Sequence, residues 1–176
     1  MCQQLVKGLN YMSNLNFPKR VEEDKRCEAI RSLFSNKDFQ LWDDGKLVVP
    51  LIDLNERLVN GLNLLKGTKK LTIGLETIEG VLKTEQKGLE DRKGGAEPSS
   101  RMSRLLIISK GGSVRFFREV EKIVGTYADR VQCIAINLNG DELGQTIFRG
   151  QNKKIQALLV SDKQALVKFL LGLVPK

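Results

Sequence analysis

The sequence predicts an α/β fold, a three-layer α/β/α sandwich with a central mixed sheet. Three observations carry this. From Arg104 to the end, short apolar runs alternate with segments of helical periodicity, the signature of strands and helices in turn. Two further segments of helical periodicity precede that alternation, at "DLNERLVNGLNLLKG" and "LETIEGVLKTE". A chain of 176 residues with 41% hydrophobic content can also bury one good core, with roughly 70% of the unfolded surface removed from water.

Residues 1–45 read as an N-terminal extension, partly helical. In "RVEEDKRCEAIRSLF", Val21, Cys27, Ile30 and Phe34 recur at helical spacing among charges, an amphipathic pattern suited to docking on the chain's own core. Residues 46–176 form the domain proper. "KLVVPLIDL" is an extended run cut by Pro50. Leu54, Leu58, Leu62 and Leu65 then mark a helix with Asp53 near its start and Gly67 as its stop. A second helix, entered through Gly74, carries Leu75, Ile78 and Leu82 on one face. Residues 86–103, rich in glycine, serine and charge, read as a flexible insertion.

After the insertion come a strand ("RLLIIS"), a helix with Val114, Phe117, Val120 or Glu121, and Val124 in register, and a second strand ("VQCIAIN"). A short helix ("DELGQTIF"), a third strand ("IQALLV") and a closing helix ("DKQALVKFLLGL") follow. The expected core comprises Leu54, Leu58, Leu62, Ile78, Leu106, Ile108, Val120, Ile134, Ile136, Leu158 and Leu170, each on the apolar face of its element.

Composition narrows the function. With 29 Lys and Arg against 21 Asp and Glu, the formal charge of +8 favours an anionic partner such as nucleic acid. The absence of histidine removes the commonest general base and metal ligand, and every Ser-His or Cys-His arrangement. Cys2, Cys27 and Cys133 are too widely spaced for a zinc site and read as thiols of a reducing compartment. No stretch has the length of a membrane span, and no leader pattern opens the chain, so an intracellular protein is expected.

Four places could carry binding or chemistry. Gly111 and Gly112 lie between a strand and a helix beginning near Ser113, but their spacing is neither a phosphate loop nor a dinucleotide fingerprint, so a plain turn is expected. Gly74 and Gly144 each sit beside a helix start, where a missing Cβ admits a close backbone approach. Asp141, Glu142 and Asp162 are carboxylates that could hold a divalent ion, yet their positions suit helix N-caps, and no cofactor is expected.

From about Leu51 to Leu173 the chain resembles the ribosomal protein L-seven-Ae and L-thirty-e superfamily, small α/β/α domains that bind kink-turn RNA in ribosomes, small nucleolar particles and ribonuclease P. The resemblance rests on "LNERLVNGLNLLKGTKKLTIGLETIEGVLK", "RLLIIS", "DELGQTIFRGQNK" and "IQALLVSDKQAL". It implies that Leu143 and Gly144 brace the loops beside an RNA-binding edge. The family's RNA-contacting motif is Gly, any residue, Asn, Glu, two residues and Lys. Here Gly74 and Leu75 keep the frame, whereas Glu76, Thr77 and Gly80 stand for the three polar readers.

A glutamate facing phosphates is unfavourable, so contact is expected through backbone amides at Gly74 and Leu75 and a fringe of Lys66, Lys69, Lys70, Arg149, Lys153, Lys154 and Lys163. The loop "VSDKQA", with Ser161, Asp162 and Lys163, would pack on a flipped base. The resemblance thus implies a non-catalytic RNA-binding subunit of a ribonucleoprotein, with structured RNA and other protein subunits as partners. The alternative is a protein-interaction module on the same fold.

Overall fold

Along "RLLIIS", Leu105 and Ile107 point to one side of a strand, Leu106 and Ile108 to the other, and all four are buried. A strand apolar on both sides needs cover on both. The computed structural model, which describes residues 15–92 and 100–176, provides it. Its elements run α1 (Lys19–Glu22), α2 (Cys27–Ser35), β1 (Asp38–Gln40), β2 (Val48–Ile52), α3 (Glu56–Gly67), β3 (Leu71–Ile73) and α4 (Leu75–Asp91). They continue as β4 (Arg104–Ser109), α5 (Val114–Thr126), β5 (Val131–Ile136), α6 (Gly140–Ile147), β6 (Ala157–Val160) and α7 (Lys163–Gly172).

The six-stranded sheet has the order β1-β2-β5-β4-β6-β3. The strands β2, β5 and β4 are parallel; β1, β6 and β3 each join their neighbour antiparallel. The sheet is therefore mixed, with helices on both faces. One face packs on α3, α6 and α7 through Leu58, Leu62, Leu143, Ile147, Leu166 and Leu170. The other packs on α4 and α5 through Ile78, Leu82, Phe117, Val120, Ile123 and Val124. Each such side chain, fully buried, contributes roughly 1.5–3 kcal/mol relative to exposure.

Residues between 15 and 34 contribute to this core. Val21, Cys27, Ile30 and Phe34 are all buried, although the helix is broken into α1 and α2 around Asp24. Phe17 packs against Phe34 in a tilted arrangement with ring centroids 5.9 Å apart, and the Arg31 guanidinium lies 4.9 Å from the Phe17 ring centre. Glu22 pairs with Arg31 and with Arg101, and Met102 N–H donates to the Asn16 carbonyl at 2.8 Å. The hairpin of β1 and β2 is held against α5 by one carboxylate: Glu121 accepts from Trp42 Nε1 and from the amides of Lys46 and Leu47 at 2.8–3.0 Å.

Several expectations need correction. Leu54 is 39% exposed, because Asn55, which caps α3 by accepting from Leu58 N–H, places Leu54 outside the helix and off its apolar face. Asp53 instead pairs with Lys37. Helix α3 does end at Gly67, but the left-handed residue of its terminus is Lys69, at φ +57°: Lys70 N–H bonds to the Leu65 carbonyl and Lys69 N–H to that of Lys66, the paired hydrogen bonds of such a terminus. Pro50 does not end its strand, since the ladder to β5 begins at Leu51, past the missing donor. Val114, at the first turn of α5, is exposed.

The 86–103 segment is not wholly a loop. Helix α4 runs on to Asp91, Met102 is buried, and Glu85 joins Arg104 and Arg130 at 3.0 and 2.6 Å. Residues 93–99, the middle of the expected insertion, lie outside the described residues.

Candidate nucleic-acid interface

The strand β3 leads into Gly74, the N-cap of α4, whose φ of +90° and ψ of 134° a side chain tolerates poorly. Its N–H donates to the Ala157 carbonyl at 3.0 Å, which ties the mouth of α4 to the start of β6. A Cβ at Gly74 would meet only the Thr77 hydroxyl, at 4.0 Å, so the glycine is required by backbone angle and not by crowding within the chain. No side chain caps α4, whereas Asn55, Ser113, Asn139 and Asp162 cap α3, α5, α6 and α7. Leu75 is partly buried against the sheet, and Glu76 and Thr77 are exposed in the first turn.

Within Glu142–Gly150 the close backbone approach is at Gly144. A Cβ there would lie 1.5 Å from the Lys153 carbonyl oxygen, so the chain between α6 and β6 crosses directly over the helix at this residue. Leu143 and Gly144 are buried within the protein, and Gly144 fixes the arm that carries Lys153 and Lys154, both exposed. Gly140 acts similarly under the Lys154 stem, and Ile155 N–H bonds to the Gly140 carbonyl at 2.8 Å. Asn139 and Glu142 form a capping box at the start of α6. Because Lys154 is three residues before Ala157, the lysine arm starts within about 11 Å of the Gly74 hydrogen bond.

Phe148, at the end of α6, was not singled out by the sequence. Its half-buried ring has Lys66 Nζ 4.3 Å from its centre and Lys153 Nζ 4.6 Å from it. Lys66 also donates to the Ile147 carbonyl at 2.7 Å, so this lysine of the expected fringe is committed to holding α6 on α3.

The remaining predicted residues lie elsewhere. Ser161 donates through both its N–H and its hydroxyl to the Lys70 carbonyl, at 3.0 and 3.2 Å. Asp162 caps α7 by accepting from Ala165 N–H at 2.8 Å and pairs with Lys70 at 3.3 Å. Those bonds, the Ala165 amide first, hold its carboxyl below the usual range. Lys69 and Lys163 flank this cluster. Since β3 and β6 are antiparallel, with Leu71 opposite Val160 and Ile73 opposite Leu158, the cluster is at the other end of β3 from Gly74. Four residue steps of strand separate them by about 13 Å.

The predicted set is therefore two groups. Gly74, Leu75, Glu76, Thr77, Leu143, Gly144, Lys153 and Lys154 gather at one end of the sheet; Lys69, Lys70, Ser161, Asp162 and Lys163 gather at the opposite end. The same division separates Asp141 and Glu142 from Asp162, and no group of three metal-ligating side chains occurs among the described residues. Gly111 and Gly112 are packing positions: added Cβ atoms would meet Asn139 at 3.2 Å and Phe116 at 2.7 Å. Among the described residues no helix is long and apolar enough to cross a membrane.

No family model matches this chain, and no curated protein matches it significantly. Among solved structures, a protein of unknown function from Bacillus halodurans is similar at 19% identity, over 67% of this chain and 97% of its own, with a TM-score of 0.44.

Proposed function

We propose that this chain is a non-catalytic RNA-binding subunit of a ribonucleoprotein, of ribosomal, small nucleolar or ribonuclease P type, and a divergent relative of the L-seven-Ae and L-thirty-e proteins. The observation that carries the reading is the junction of β3 and α4. There an uncapped helix start, entered through Gly74, is hydrogen-bonded to β6 just after the exposed Lys153 and Lys154. Unpaired amides at a helix start favour an anion, and the exposed, lysine-bearing arm that leads into β6 suits a phosphate backbone. The charge of +8 supports the same partner. Glu76 and Thr77 are poor readers of guanine edges next to phosphate, so binding follows backbone shape more than base identity.

The test is to recover the RNA that co-purifies with the protein from its own cells after ultraviolet cross-linking, and to locate the nucleotide-bearing peptides. The proposal expects adducts within residues 71–83 and 149–156. Adducts confined to the Ser161–Lys163 end, or no enriched RNA, would overturn it.

A further inference from the structure

A cavity of about 530 Å³ forms a groove between α3 and α7. Leu64, 63% exposed and the most exposed large hydrophobic residue among those described, stands in it beside the half-buried Ala165, over the buried Leu65 and Phe169, with Asn60, Thr68 and Gln164 also lining the groove. The groove is built by a glycine. A Cβ on Gly61 would come within 2.9 Å of the Phe169 ring, so the two helices approach closely and leave Leu64 standing at the surface. Leu64 does not serve the core, whose α3 contacts are Leu58, Leu62 and Leu65.

The rim is basic. Arg57, Lys70 and Lys168 line the groove against one carboxylate, Asp162, which is already paired with Lys70. Arg57 and Lys168 form no ion pair among the described residues. The helices are antiparallel, with Lys70 beside the start of α7 and Gly61 beside Phe169, so Arg57 and Lys70 stand at opposite ends and Lys168 on the wall between. The groove spans most of α3, about 18 Å or three helical turns.

We propose that this groove is the docking site for an amphipathic helix of another protein, with apolar residues on one face and acidic residues flanking them. A helix laid in a groove presents anchors at i, i+3, i+4 and i+7, and a groove of this length takes about three turns of one, with an anchor against Leu64. Charge selects the occupant: acidic flanks meet Arg57, Lys168 and Lys70, whereas a second copy related by a two-fold axis would set like charges together. RNA would leave the exposed Leu64 without an apolar partner. The proposal is independent of the RNA reading, because the groove and the Gly74 junction are at different places on the fold. It gives Lys70 and Asp162 a part in a protein contact.

The test replaces Leu64 with a photoreactive benzoyl-phenylalanine in the full chain, cross-links in its own cells and sequences the attached peptide. Val114, an apolar residue 51% exposed on α5, is the control position. The expected peptide comes from another protein, has helical apolar spacing and carries net negative charge. Adding Arg57→Glu and Lys168→Glu should lower the cross-link yield at least tenfold without moving the melting temperature. Attachment to RNA, to this chain or to a basic segment would overturn the proposal. So would a yield no higher than at Val114, or one unchanged by the charge reversal.

Discussion

At Gly144 a single hydrogen atom decides whether the arm of Lys153 and Lys154 can sit where it does. Gly144→Ala places a methyl group into the Lys153 carbonyl, so the arm must lift, at a cost of about 1–3 kcal/mol or more. Gly80→Ala, in the middle of α4 with open space beside it, should instead stabilise by up to about 1 kcal/mol through the unfolded chain. Urea denaturation of the two variants checks both signs, and equal midpoints would refute the account of Gly144. At Asp162 the relevant variable is pH. Its folded pKa lies below the unfolded value near 3.9, so its stabilisation is present above that value and is lost as pH falls through the folded pKa. Asp162→Asn keeps a cap acceptor but no longer titrates. The urea midpoint of the wild type should therefore drop more between pH 6 and pH 3 than that of the variant; parallel drops would contradict the assignment.

Elements were legible where the chain is long enough to show a period. The two helices before the sheet, and the strands and helices after Arg104, fall within a few residues of their expected places because each repeats its apolar positions several times. Short elements did not announce themselves: β1 and β3 have three residues each, too few for an alternation, and both depend on a neighbouring strand for their hydrogen bonds. The misplacement of Leu54 has the same root, since a period of four was carried one turn past the capping Asn55. The latch on the β1–β2 hairpin was half visible, as Glu121 shared a register with Val120. Its use as the acceptor of three donors belongs to tertiary structure. Glu121→Ala should cost about 1–3 kcal/mol, concentrated in the hairpin. Hydrogen exchange should show the Lys46 and Leu47 amides deprotected while those of β4 keep their protection. Uniform loss across the sheet would mean that the hairpin is not a separable unit.

For the whole molecule, charge and residue type pointed to a basic binding protein, but not to where the basic residues converge. Sequence spacing placed Lys69, Lys70, Lys153 and Lys154 in one fringe; the antiparallel pairing of β3 with β6 sends the first two to one end and the last two to the other. Phe148 and the groove beside Leu64 were invisible for a related reason, as each is made by two helices distant in the chain. This geometry sharpens the central claim into a comparison of two pairs of lysines. The decisive measurement is a binding titration against the co-purified RNA at several salt concentrations. Lys153→Ala with Lys154→Ala should weaken binding and flatten the slope of log K against log salt by about 2, one released counterion contact per lysine. Lys69→Ala with Lys70→Ala should leave affinity and slope near those of the wild type. An unchanged slope in the first variant, or the larger loss in the second, would contradict an RNA interface at the Gly74 end of the sheet.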